Sequence, residues 1–120
     1  MTPDQLCVFC AIIAGTEPAT IINRWPDAIA IVPRHPVTTG HLLVIPTVHV
    51  RDALQDPTVT GTCMSRAAQL ARHACNLITS VGSPATQTVF HLHIHIVPRH
   101  SGDGLALPWH RPLLSPLGGA

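Results

Sequence analysis

An α+β domain, an antiparallel β-sheet with one long and one short helix, is the fold that this sequence predicts. Three observations predict it. Short β-prone runs recur between turn residues, and one segment alone sustains a helical period over several turns. Within residues 87–97, apolar and imidazole side chains alternate strictly from Phe90 to Ile96, as a strand with one buried face does. At 120 residues the chain holds one core and falls short of two. A single domain over residues 1–120 is therefore expected, with its core at about 5–100 and an extended tail over 101–120.

The elements follow in order. Cys7 to Cys10 forms an N-terminal knuckle, and a short helix over residues 10–14 is stopped by Gly15. Residues 20–23 and 28–32 are β-prone and are separated by a turn at Trp25, Pro26 and Asp27. Pro33, Pro36 and Gly40 enclose a loop that leads to a strand over residues 42–45. The long helix is expected over residues 57–75. Asp56 caps it, Pro57 suits its first turn, and Val59, Cys63, Ala67, Leu70, Ala71 and Ala74 form one apolar stripe. Residues 76–79 read as a strand, Gly82, Ser83 and Pro84 as a turn, and residues 87–97 as the last strand. From Ser101 onward Gly, Pro and Leu dominate without a period.

Composition excludes several classes of function. Apolar residues make up 46% of the chain and charged ones 11%, with a formal net charge of +1. That balance offers no electrostatic attraction to duplex DNA or to an anionic membrane. All seven cationic side chains are Arg, which we attribute to coding bias. No apolar run reaches the ~18 residues of a membrane span, and no basic-then-apolar leader opens the chain. A cytoplasmic protein with neither nucleic-acid nor membrane partners is expected.

The chemistry concentrates in two places. On a strand, His91, His93 and His95 share one face at roughly 7 Å spacing, opposite Leu92, Ile94 and Ile96. A row of imidazoles at that spacing can line a phosphate-sized site, and two of them at i and i+2 can alternatively share a zinc ion. Imidazole is a nucleophile near neutral pH only when uncharged, and crowding several rings favours one neutral ring beside a protonated neighbour. The second place is Cys7-x-x-Cys10, a spacing that presents two thiolates to one zinc ion and also serves redox centres. Cys63 and Cys75 fall in the predicted long helix and read as small buried hydrophobes.

The run His91-Leu92-His93-Ile94-His95-Ile96-Val97 fits the His-x-His-x-His-x-x pattern and resembles the histidine triad (HIT) family. The opening Cys7-Val8-Phe9-Cys10-Ala11-Ile12-Ile13-Ala14-Gly15 is similar to that family's N-terminal block. Gly40-His41-Leu42-Leu43-Val44-Ile45-Pro46-Thr47-Val48-His49 looks like its Gly-His-x-Leu-Val-Ile-Pro-x-x-His block. The resemblance runs from about Cys7 to Arg99, with Trp109 matching a Trp-containing tail. It implies a two-layer α+β fold, a homodimer, and hydrolysis or transfer at the α-phosphate of nucleoside phosphoramidates or dinucleoside polyphosphates. By the same resemblance His93 is the nucleophile, His91 and His95 flank it, and His41 completes the cluster. Gln87 and Thr88 hold the phosphate or leaving group, and Trp109 covers a nucleobase or crosses a dimer interface.

Zinc-binding members suggest a structural Zn2+ here, held by Cys7, Cys10, His49 and His100, with no cofactor required for catalysis. His49 follows the Ile-Pro block, and His100 ends the triad strand on the parity opposite the catalytic face. Two departures stand out. The family often grips the ribose with an Asp after its second main strand, where this chain reads Val32-Pro33-Arg34-His35-Pro36. Thr86 replaces a Gly just before the Gln. The contrasting expectation is a nucleotide-binding or signalling protein that keeps the site and turns over poorly.

Overall fold

The computed structural model describes residues 6–109. Helix α1 spans Val8–Ala14, and strands β1 (Ile21–Arg24), β2 (Ala28–Ile31) and β3 (Leu42–Pro46) follow. Helix α2 spans Pro57–Leu70, β4 Cys75–Ile78 and β5 Ile94–Pro98. A 3-10 turn over Ser83–Ala85 precedes the histidine segment. The five strands form one antiparallel sheet in the order β1-β2-β3-β5-β4, so the α+β architecture is as expected.

Side-chain alternation divides the core between the two faces of the sheet. Ala28, Ala30, Val44, Leu92, Ile94 and Ile96 pack beneath α2 with Cys63 and Ala67. Ile29, Ile31, Leu43 and Ile45 face the other way and meet Cys7, Phe9 and Ile12 around α1. All four residues of β2 are therefore buried, because both of its faces are covered. The short helix also ends as the sequence implies: Gly15 adopts φ 82°, where its amide caps the last turn.

Two boundaries differ from expectation. The long helix stops at Leu70 instead of running to residue 75. Ala71 is extended there, since residue 75 must reach the sheet edge and pair with Pro98. The last strand begins at Ile94 instead of residue 87, so His91 and His93 precede it. The chain before them is fixed otherwise. Gln87 Nε2 donates to the carbonyls of Arg51 (2.9 Å) and Val89 (3.0 Å), and its Oε1 accepts from Gly82 N (2.8 Å). Leu92 N donates to Val50 O at 2.8 Å. Among the described residues no helix is long and apolar enough to cross a membrane.

Candidate active site and metal centre

The Gly40–His41 step positions the first imidazole. Gly40 has φ 85°, and a Cβ there would come within 3.2 Å of the Pro98 ring, so glycine alone fits both the conformation and the space. His41 then lies buried beside His95, whose backbone pairs with Leu43. The amide of Val37 donates to His41 Nδ1 at 3.1 Å. An accepting Nδ1 leaves the proton on Nε2, which donates to His95 Nδ1 at 2.9 Å. The His95 proton is thereby placed on Nε2. A backbone N–H thus sets the tautomers of two rings in succession.

His93 takes the complementary form. Its Nδ1–H donates to the His91 carbonyl at 2.8 Å, which leaves Nε2 with its lone pair. Phe9 stands edge-on to both rings, 5.1 Å from the His93 centroid and 5.8 Å from that of His91, and sequence reasoning assigned it no role. The Phe in Cys-x-Phe-Cys was the available signal. Burial lowers the pKa of His41, and it lowers that of His93 against an opposing hydrogen bond to the His91 carbonyl. Burial, then the neighbouring His93 and His41, push His95 down to about 4. All three rings are uncharged at neutral pH.

These rings line a groove of about 570 Å³. Its walls include Phe9, Ile31, Leu43, Val37, Thr88, Arg34 and His35. Thr88 therefore stands where a substrate can reach it. Gln87 does not line the groove, because its amide is spent on the three backbone bonds above and holds the loop that carries the histidines. Trp109 is 61% exposed, and it does not line the groove either. Arg99 clamps Asp103 (2.8 and 3.1 Å), Asn76 (2.7 Å) and the Leu105 carbonyl (2.7 Å). The tail beyond residue 109 lies outside the described residues.

A second cluster gathers behind the first. Ligand atoms of Cys7, Cys10, His49 and His91 all lie within 4.8 Å of one another. Cys7 Sγ is 3.3 Å and Cys10 Sγ 3.5 Å from His91 Nδ1, Cys10 Sγ is 3.2 Å from His49 Nδ1, and the two Nδ1 atoms are 3.1 Å apart. Tetrahedral zinc, with bonds of about 2.3 Å to sulfur and about 2.0 Å to nitrogen, needs S···N of about 3.5 Å and N···N of about 3.3 Å. The donor set fits, and this group could hold a metal ion. His91 is wholly buried, and its Nε2 lies 3.0 Å from the Pro46 carbonyl, so the ring turns Nδ1 toward the thiols.

The residue gathered with Cys7, Cys10 and His49 is His91, and not the expected His100. The parity argument failed for a physical reason. Even-numbered positions of β5 pack beneath α2, whereas Cys7 belongs to the opposite face with α1. His100 follows that even parity and ends up exposed. His91 shares the face of His93, which is the face of α1, and its ring turns toward the knuckle.

The comparisons with known proteins agree with the geometry. A family model described as HIT domain matches residues 14–102, and the chain belongs to that family. An uncharacterized HIT-like protein of Mycobacterium tuberculosis is 40% identical over 110 residues, covering 84% of this chain and 76% of that protein. The crystal structure of a Zn-bound histidine triad family protein from Mycobacterium smegmatis is 39% identical with a TM-score of 0.74, covering 86% of this chain and 81% of that one. An adenylylsulfatase of Arabidopsis thaliana, HINT3, is 32% identical over 108 residues, covering 82% of this chain and 55% of that protein.

Proposed function

We propose that this protein is a nucleotide hydrolase or transferase that cleaves at the α-phosphate of nucleoside phosphoramidates, dinucleoside polyphosphates or related mixed anhydrides, through a covalent nucleotidyl-His93. The observation that carries this reading is the 2.8 Å bond from His93 Nδ1 to the His91 carbonyl, which leaves Nε2 as an oriented nucleophile at the groove. Attack by Nε2 forms the phosphorus–nitrogen bond as the bond to the leaving group breaks and its electron pair departs with that group. The carbonyl of His91 stabilises the positive charge that the His93 ring acquires. His95 Nε2–H, its orientation held through His41, donates to a phosphoryl oxygen. Water then cleaves the intermediate and releases the nucleoside monophosphate. A relative named adenylylsulfatase supports an adenylyl mixed anhydride among the substrates.

Zn2+ is the metal we propose for the second cluster, held by the Cys7 and Cys10 thiolates with His49 and His91. Four protein ligands make a closed site that cross-links the N-terminal knuckle to the segment carrying His93. A homodimer belongs to the same reading. Exposed Leu6 and Phe90 flank a hollow of about 410 Å³ beside Cys7 and leave apolar surface that a second copy would cover. Sedimentation equilibrium tests it, and a monomer at micromolar concentration would reject it.

The test of function is incubation with adenosine 5'-phosphoramidate and with a dinucleoside polyphosphate, followed by acid-free mass spectrometry of the 91–99 peptide. A nucleotide adduct on wild type and none on His93→Ala is expected. Binding of nucleotide without release or adduct across both substrates would reject the enzyme and leave the nucleotide-binding protein.

A further inference from the structure

We propose that the loop joining β2 to β3 selects nucleotides bearing a second phosphate esterified to the ribose. The proposal rests on the groove being the nucleotide site. No carboxylate lines this groove among the described residues: its titratable side chains are Arg34 and His35 from the loop between β2 and β3, and His41, His93 and His95. Across the sheet Ile31 pairs with Leu43 and Leu43 with His95. At about 4.8 Å per strand, the backbone of Ile31 lies roughly 10 Å from that of His95. Arg34 follows three residues later and has a long stem. A nucleoside joined through its 5'-phosphorus to His93 extends toward this loop, with the ribose between the two.

The donor inventory then decides what the loop can recognise. A neutral ribose diol is best gripped by a carboxylate, which accepts from both hydroxyls. A guanidinium has donors only, and a protonated imidazole likewise. A phosphate monoester has acceptors to offer, and the planar fork of Arg matches two of its oxygens at once. The donor-only guanidinium of Arg34 therefore complements a phosphorylated ribose better than a bare one. Arg34 is already oriented: its Nη2 donates to Glu17 Oε1 at 2.7 Å, in a pair whose side chains are 65% and 39% exposed. Such an exposed pair is weak and exchangeable, so an incoming phosphate can take the place of the Glu17 carboxylate.

Calorimetric titration of the full chain with adenosine 5'-monophosphate, adenosine 2',5'-bisphosphate and adenosine 3',5'-bisphosphate tests this. At least one bisphosphate is expected to bind about tenfold more tightly than the monophosphate, the gain of one charge-assisted phosphate contact. Arg34→Ala should bring the ratio close to one, and Glu17→Gln should widen it by releasing Arg34. Equal or weaker binding of both bisphosphates, or a preference that survives Arg34→Ala, would overturn the proposal. Turnover of adenosine 5'-phosphoramidate, measured in parallel, separates the two failures. Hydrolysis without a bisphosphate preference rejects the ribose-phosphate selection alone. A failure of all three nucleotides to bind rejects the groove as the nucleotide site, and this proposal with it.

Discussion

His91 and His93 stand two residues apart in one peptide, both beside the Phe9 ring, yet their rings join two different clusters. The backbone contact of His91 is at Nε2, toward Pro46 O, so Nδ1 meets the thiols. The backbone contact of His93 is at Nδ1, toward His91 O, so Nε2 meets the groove. Nothing in the residue type separates the proposed ligand His91 from the proposed nucleophile His93. The difference is which nitrogen a carbonyl engages, and hence which lone pair is left to work. The two clusters also share an atom group, because the carbonyl that orients the nucleophile belongs to the ligand residue.

The largest effect comes from breaking one side of that pairing. His93→Ala should lower kcat/KM for adenosine 5'-phosphoramidate by at least about 10³-fold while metal content stays unchanged. Steady-state kinetics and elemental analysis on the same preparation check both halves, and residual activity within tenfold of wild type would contradict the nucleophile assignment. Breaking the other side should not stay local. Cys10→Ser should lose the metal and lower the melting temperature by about 10 °C, corresponding to about 3 kcal/mol. Full zinc occupancy in that variant would refute the four-ligand centre. His100→Ala, by contrast, should retain its metal, which discriminates directly between His91 and His100 as the fourth ligand.

How much of this was legible in the sequence differs between the two clusters. The groove was legible because His93, His95 and His41 obey local rules: alternation along β5 and a glycine that only one conformation accommodates. Phe9, Val37 and the His91 carbonyl were not, since a backbone N–H or C=O carries no signature in residue type. Half of the metal centre was legible in Cys7-x-x-Cys10. The rest required knowing that the N-terminal knuckle packs on the odd-numbered face of this segment, which holds His91, and not on the even-numbered face of Ile94 and Ile96. The early stop of the long helix had the same kind of cause, because sheet pairing of Cys75 overrode the apolar period that continued through Ala74.

The groove's uncharged rings have a consequence for stability that sharpens the contrast. His95 titrates at about 4 in the folded protein against an ordinary 6.5. The folded state thus binds its proton later than the unfolded chain does. Stability is complete above pH 6.5 and is lost as pH falls from there toward 4, by on the order of 2 kcal/mol at pH 5 from this residue alone. His41 and His93, also lowered, act in the same direction. Urea unfolding at pH 7 and pH 5 should show a smaller acid loss in His95→Gln than in wild type, because that variant has one proton fewer to bind on unfolding. An identical loss in the two proteins would show that His95 is not held uncharged by the fold.

The smallest expected effect lies in the turn that feeds both clusters. Thr86 has φ 72° and ψ 22°, left-handed backbone that a β-branched residue adopts at a cost of about 1–2 kcal/mol. Its neighbour Gln87 then staples the loop carrying His91 and His93 to the Arg51 and Val89 carbonyls. Glycine at 86 removes the steric cost but widens the unfolded ensemble, so Thr86→Gly should stabilise by a net of about 0.5–1 kcal/mol, or about 2–5 °C in melting temperature. Because the staple belongs to Gln87, metal stoichiometry should not change with it. A lower melting temperature in Thr86→Gly would mean that the threonine side chain contributes more to this turn than its backbone costs, and the loop's rigidity would then have to be sought in residue 86 as well as in residue 87.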